Sequence, residues 1–221
     1  MKKLFKTLTI LAVCAVIAIS AVMGTLFLAF SNVTLDESLL PVAAAHPVFY
    51  DADGREMNYA GVSALTPEEI PDKLKNAFIA LEDKRFYSHR GYDLRRIAGA
   101  AIKNIKARKT VEGASTITQQ LIKNTHLTSE KTVKRKINEV SLARQLEKKY
   151  SKDQILSMYL SAIYFGGGIY GVKDAAAYYF GKKLENLSAA ECATLAGIVK
   201  NPSAYSPKTI WKSRLCGAIW F

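Results

Sequence analysis

Residues 74–91 read Leu74-Lys75-Asn76-Ala77-Phe78-Ile79-Ala80-Leu81-Glu82-Asp83-Lys84-Arg85-Phe86-Tyr87-Ser88-His89-Arg90-Gly91. Leu74, Phe78 and Leu81 recur at helical spacing, so the stretch is an apolar helix face that ends in two adjacent carboxylates. Glu82 falls one residue past the stripe, at the edge of the core, a suitable place for a general base. Glu82-Asp83-Lys84-Arg85 reads equally as a solvated helix end. Working outward, Thr66-Pro67-Glu68-Glu69 opens the helix with an N-cap, a first-position proline and a capping-box glutamate. Downstream, three more apolar sets keep the helical period: Ile97, Ala101 and Ile105; Val133, Ile137 and Val140; Ile155, Met158 and Tyr159. Before residue 63, Pro47-Val48-Phe49-Tyr50 and Arg55-Glu56-Met57 flank Asp53-Gly54, the signal of a small β-hairpin. The fold class is mainly α.

Two further stretches carry polar chemistry. Gly113-Ala114-Ser115-Thr116-Ile117-Thr118-Gln119-Gln120 gathers hydroxyls and amides at a helix start, where backbone N–H groups cradle phosphate oxygens. An N-cap alone needs only one of those hydroxyls. Lys131, Lys134, Arg135 and Lys136 precede Glu139, with Arg135 and Lys136 four and three residues before it on one face. That is an intrahelical ion-pair cluster, or a carboxylate held among cations that grip a diphosphate.

The chain's 221 residues and 49% apolar content describe a foldable chain of one or two domains, and a net charge of +12 points to anionic partners. Cys14, Cys192 and Cys216 form neither a disulfide framework nor a zinc site, and metal ligands are expected to be none. Thr7 to Phe30 carries no charged side chain, which is long enough for a membrane span. Lys2, Lys3 and Lys6 precede it and an acidic flank follows, so the expected topology is single-pass, with the N-terminus cytoplasmic and the rest outside. A cleaved signal ending near Ala43-Ala44-Ala45 is the alternative. Either way nucleic acid is excluded as a partner, and lipid-linked phosphate is favoured. The expected divisions are a tail and transmembrane anchor over 1–31, a linker and hairpin over 32–62, the main domain over 63–207, and an aberrant tail over 208–221.

Taken in order, Glu82-Asp83-x-x-Phe86-x-x-His89-x-Gly91, Gly113-x-Ser115-Thr116-Ile117-Thr118-Gln119-Gln120, Arg135-Lys136-x-x-Glu139 and Lys152-x-x-Ile155-Leu156-x-x-Tyr159-Leu160 resemble four motifs of the family-51 glycosyltransferases. These are the peptidoglycan glycosyltransferase domains of class A penicillin-binding proteins. Tyr164-Phe165-Gly166, Tyr170-Gly171-Val172 and the segment from Leu187 to Pro207 are similar as well. The resemblance implies a lysozyme-like fold of two lobes around a cleft near the membrane. It implies lipid II and a growing glycan strand as substrates, polymerised with inversion and release of undecaprenyl diphosphate, and cell-wall synthesis proteins as partners. By the same likeness Glu82 is the base that deprotonates the acceptor 4-hydroxyl, and Glu139 is the second catalytic carboxylate. Asp83, His89, Ser115, Thr116, Gln119, Gln120, Arg135 and Lys136 are the substrate-binding residues. No cofactor is required, and a divalent cation at the diphosphate is compatible.

Two departures stand out. Ser161 replaces the asparagine that such sequences carry after Tyr-Leu, which is expected to weaken a structural hydrogen bond. The chain then closes on Trp211-Lys212-Ser213-Arg214-Leu215-Cys216-Gly217-Ala218-Ile219-Trp220-Phe221 where the family continues into an Arg-x-x-x-Val-Leu helix. Back-translated with permitted codons and with two bases skipped, residues 208–221 become NNLEKSLVRRNLV. The tail is therefore expected to be a frameshift product, tested by sequencing beyond the Phe221 codon. A genuine short terminus packing Trp211 and Trp220 is the other reading. Two further function readings stand beside polymerisation: a lysozyme-like enzyme that cleaves glycan with one Glu as acid, and an inactive remnant.

Overall fold

Capping residues set where the helices begin. The structure, a computed structural model, describes residues 33–41, 49–50, 56–57, 64–107, 113–128, 130 and 132–205, with scattered positions between 5 and 25. Its helices are α1 (Asp72–Glu82), α2 (Leu94–Ala107), α3 (Ile117–His126), α4 (Val133–Lys149), α5 (Lys152–Ala162), α6 (Val172–Phe180), α7 (Ala189–Lys200) and the short α8 (Pro202–Tyr205). Thr116, Ser151 and Ser188 cap α3, α5 and α7, each in a reciprocal box with the Gln or Glu three residues on.

Thr66 and Glu69 form the expected box, but it opens only a 3-10 turn over Pro67–Glu69. Pro71 forces Ile70 out of the helical region, to φ −98° and ψ 109°, and α1 starts afresh at Asp72. The hairpin is present as β1 (Phe49–Tyr50) antiparallel to β2 (Glu56–Met57), with Phe49 opposite Met57. Its Asp53-Gly54 turn, Lys131 and the tail from Lys208 lie outside the described residues. So does most of the N-terminal apolar run. Among the described residues no helix is long and apolar enough to cross a membrane.

The core gathers around α5, whose residues from Ile155 to Ser161 are all buried. A helix buried all round is apolar on most of its sides, here with Ser157 and Ser161 as buried hydroxyls, and this one lies against α3, α4 and α6. Phe78 of α1 meets Tyr159 and Phe165 edge-on, with centroids 6.4 and 6.2 Å apart. Helix α1 packs along α7, and α3 packs along both α4 and α5. Ser161 keeps its structural bonds despite its short side chain: its hydroxyl donates to Ser157 O at 2.8 Å and accepts from Leu65 N at 2.9 Å. Opposite it Gly171, at φ +80°, brings its backbone so close that a Cβ would stand 2.8 Å from Ser161 O.

Three apolar assignments change. Leu74 and Phe78 are fully buried, whereas Leu81 is 41% exposed because α1 ends there beside an open cleft. In α2, Ile97 and Ile105 are 40% and 76% exposed, and only Ala100 is buried. In α4, Ile137 is buried but Val133 is exposed. Residues 33–40, read as part of a linker, form a strap docked on α4. Gln145 donates from Nε2 to Val33 O at 2.7 Å and accepts Leu35 N at 3.1 Å. Glu37 pairs with Lys149 and accepts from Tyr150 Oη at 2.6 Å, and the lysine first, then the phenol, hold its carboxyl below the usual range.

Candidate active site

The carboxylates that end α1 part company at the helix terminus. Glu82, half-buried, is its last residue. Asp83 leaves the helical region at φ −156° and turns its side chain into the core, where it is 1% exposed. Asp83 Oδ2 accepts from Ile117 N at 3.1 Å, the first amide of α3, and from His89 Nε2 at 2.8 Å. Its Oδ1 lies 3.7 Å from Arg96 Nη1. One carboxylate thus pins the start of α3, the loop at His89 and a cation of α2 to the end of α1.

Thr116 completes this junction. It accepts Gln119 N at 3.2 Å and donates its hydroxyl to Gly91 O at 2.7 Å, while Gln119 Oε1 accepts Thr116 N at 3.1 Å. Gly91, at φ +92°, lies against α4, where a Cβ would stand 3.0 Å from the Ala143 carbonyl. Thr116 and Gln119 are buried and occupied with each other.

Glu82 faces a cleft of about 580 Å³ that Ser115 and Gln120 also line. Gln120 Nε2 donates to Glu82 Oε2 at 2.9 Å, and Tyr159 Oη donates to Gln120 Oε1 at 3.5 Å. Burial, reinforced by the charges of Glu82 and Asp83, pushes the Tyr159 phenol well above its ordinary value, so it remains a donor. Arg96 donates to the Glu82 backbone carbonyl. Among the described residues Glu82 Oε1 has no hydrogen-bond partner, so the chain of donors ends on one oxygen and leaves the other to the cleft.

Ser115 joins the cleft to the cationic helix, since its Oγ accepts from Lys136 Nζ at 3.2 Å. Lys136 pairs in turn with Glu139, and Arg135 Nη1 lies 3.5 Å from Glu139 Oε2. Glu139 is 2% exposed. Its carboxylate is therefore a mount for two cations rather than a group open to solvent. Lys136 remains half-exposed beyond it.

The structure thus brings Glu82, Ser115 and Gln120 into one cleft, with Lys136, Arg135 and Glu139 behind Ser115. Asp83, His89, Thr116 and Gln119 form the buried junction beneath. Sequence reasoning missed Arg96, Lys103 and Lys200, which line the cleft, and Asp93, which fixes Arg96. Asp93 caps α2 by accepting Arg95 N at 2.9 Å and Arg96 N at 3.2 Å. The Asp93-Leu94 step carried that signal. Among the described residues no group of three or more His, Cys, Asp or Glu side chains could hold a metal ion.

Compared with known protein families, residues 55–215 match the transglycosylase family. The chain belongs to that family. The matched segment runs past Pro207 into the stretch that the sequence reading set apart. Penicillin-binding protein 1F of Bacillus subtilis is 44% identical over 209 residues, 93% of this chain and 29% of its own length. Penicillin-binding protein 1A/1B of Bacillus subtilis is 48% identical over 178 residues, 79% of this chain and 19% of its own. Penicillin-binding protein 1A of Clostridium perfringens is 45% identical over 187 residues, 79% of this chain and 27% of its own. The chain spans less than a third of the length of these relatives.

Proposed function

We propose that the domain is a peptidoglycan glycosyltransferase that polymerises lipid II into glycan strands with inversion. The observation that carries this reading is Glu82 sharing one cleft with Ser115 and, through it, with Lys136. Membership of the transglycosylase family supports it.

In this mechanism Glu82 Oε1 takes the proton of the acceptor's sugar 4-hydroxyl while Gln120 holds Oε2. The freed oxygen attacks the anomeric carbon of the donor strand from the face opposite the diphosphate, and the carbon–oxygen bond to the diphosphate breaks. Lys136 and Arg135 meet the charge that develops on the leaving group, and Glu139 fixes both cations beforehand, so little reorganisation is needed during the reaction. Arg96, Lys103 and Lys200 add to the positive field of the cleft. Asp83, His89, Thr116 and Gln119 hold the two walls in register. The fold is read as lysozyme-like and two-lobed. Cell-wall synthesis proteins are its partners.

The decisive test is Glu82→Gln in the full chain with lipid II as substrate. Strand formation is expected to fall by about 10²–10⁴-fold, or about 3–5 kcal/mol in barrier. An unchanged rate refutes the assignment of Glu82.

The apolar run from Thr7 to Phe30 is proposed as a single-pass anchor in the cytoplasmic membrane, with Lys2, Lys3 and Lys6 inside and the domain outside. Protease added to intact spheroplasts is expected to digest most of the chain, and full protection reverses the topology.

A further inference from the structure

A second pocket, of about 410 Å³, counts His89 in its lining but neither Glu82, Ser115 nor Gln120; a third, of about 400 Å³, shares Arg85, Asp93 and Arg95 with it and Glu82, Arg96 and Lys103 with the cleft, and so joins the two. Four cations reach the second pocket from three parts of the fold: Arg90 from the loop after Ser88, Arg95 from the first turn of α2, and Arg144 and Lys148 from α4. Among the described residues none of these four side chains has a hydrogen-bond or ion-pair partner. Arg144 and Lys148 stand four residues apart on one helix face, where like charges repel and weaken the helix.

Two carboxylates also face the pocket; each has a cationic partner, and Asp93 Oδ2 is buried without a hydrogen bond among the described residues. Glu147 Oε1 accepts from Thr118 Oγ1 at 2.6 Å and from Lys152 Nζ at 2.7 Å. Asp93 Oδ1 caps α2 and lies 3.4 Å from Arg85 Nη1, a fifth cation of the lining. With five cations against two carboxylates the pocket is positive, and of its cations only Arg85 is committed among the described residues.

His89 adds a separate feature: with Nε2 donating to Asp83, its other ring nitrogen is an acceptor and calls for a donor, such as a hydroxyl beside a phosphate, not for a phosphate oxygen. His89 is 7% exposed, its Nε2 is taken by Asp83, and its Nδ1 is buried without a partner among the described residues. The ring nitrogens diverge, so Nδ1 points away from Asp83, whose carboxylate takes no part in this pocket.

We propose that this pocket binds a phosphate group carried on a larger molecule, at a site along the groove from Glu82 whose lining includes neither Glu82, Ser115 nor Gln120. Guanidinium forks converging from different elements match the several oxygens of a phosphate. The volume leaves room for an organic substituent beside it. The proposal does not rest on the polymerase reading. The phosphate comes either from a lipid headgroup or from a soluble phosphorylated compound.

The experiment uses the full chain in phosphatidylcholine nanodiscs, titrated calorimetrically with pyrophosphate. Two classes of site are expected, one in the cleft and one in this pocket. Arg144→Gln with Lys148→Gln should weaken the pocket class at least tenfold and leave the other class unchanged. Arg90→Gln, a single change on a separate loop, should weaken the same class severalfold, which guards against misfolding of the double variant. Wild-type titration curves in both variants overturn the proposal. Repeating the titration in phosphatidylglycerol nanodiscs separates the sources. Loss of the pocket class there means that the headgroup phosphate already fills it, and persistence means that the site serves a soluble phosphate.

Discussion

Asp83→Ala removes the acceptor on which the junction beneath the cleft depends. Asp83 Oδ2 takes two donors, Ile117 N at 3.1 Å and His89 Nε2 at 2.8 Å, in a place where the carboxylate is 1% exposed. The substitution leaves both donors buried, and the alanine methyl offers no replacement. Each orphaned buried donor costs about 1–3 kcal/mol, so the pair amounts to about 4 kcal/mol. The Arg96 contact at 3.7 Å adds little, since Arg96 keeps its bond to the Glu82 carbonyl. For a chain of this size each kcal/mol moves Tm by about 2–4 °C, giving a fall of roughly 8–16 °C. Asp83→Asn retains one acceptor oxygen and should fall by about half as much. The assay is thermal unfolding followed by circular dichroism, with Glu82→Gln beside it. Glu82 is half-buried and has a single side-chain bond, so its variant should melt within about 2 °C of wild type while losing activity. If Asp83→Ala melts within 2 °C of wild type, or if Glu82→Gln melts as low as Asp83→Ala, the division into a cleft carboxylate and a buried fastener is wrong.

Gly91→Ala should cost about 3 kcal/mol, because φ is +92° and the added Cβ meets the Ala143 carbonyl at 3.0 Å; urea unfolding measures it. Glu191, bonded to Lys182 and to Ser188 N, has its carboxyl held down at about 2 from an ordinary 4.5. A carboxyl lowered in the folded state stabilises it above pH 4.5 and loses that contribution as pH falls toward about 2. Glu191→Gln should therefore flatten the decline of Tm across that window, and an unchanged decline counts against the pairing.

The sequence made the element types legible because polar caps and apolar spacing agree within α3, α5 and α7. Thr116, Ser151 and Ser188 each start a helix whose buried residues begin within its first turns. Periodicity failed where a helix has an apolar face that nothing in the described fold covers, as with Ile97 and Ile105 of α2. A pattern reports that a face is apolar; it does not report what lies opposite. The motif residues were legible as a set, but not their division between cleft and foundation. Glu82 and Asp83 are neighbours in the chain, and only the break in helical dihedrals at Asp83 sends one outward and the other into the core. Arg96 escaped because its role rests on a backbone carbonyl of α1, which no side-chain pattern announces. The strap over 33–40 escaped for a similar reason, since its hold on α4 runs largely through main-chain groups accepted and donated by Gln145.

That strap sets a length scale. On the proposed anchor, the apolar run ends at Phe30 and the docked segment begins at Val33, three residues on, a reach of about 10 Å at full extension. Gln145, where the strap is fastened, lies six residues along α4 from Glu139, or about 9 Å of helix. On that anchor, the groups to which the proposed mechanism assigns the chemistry are leashed within a thin slab above the lipid surface. A substrate whose own tail stays in the bilayer meets them by lateral diffusion, so encounter becomes a search over an area rather than through a volume.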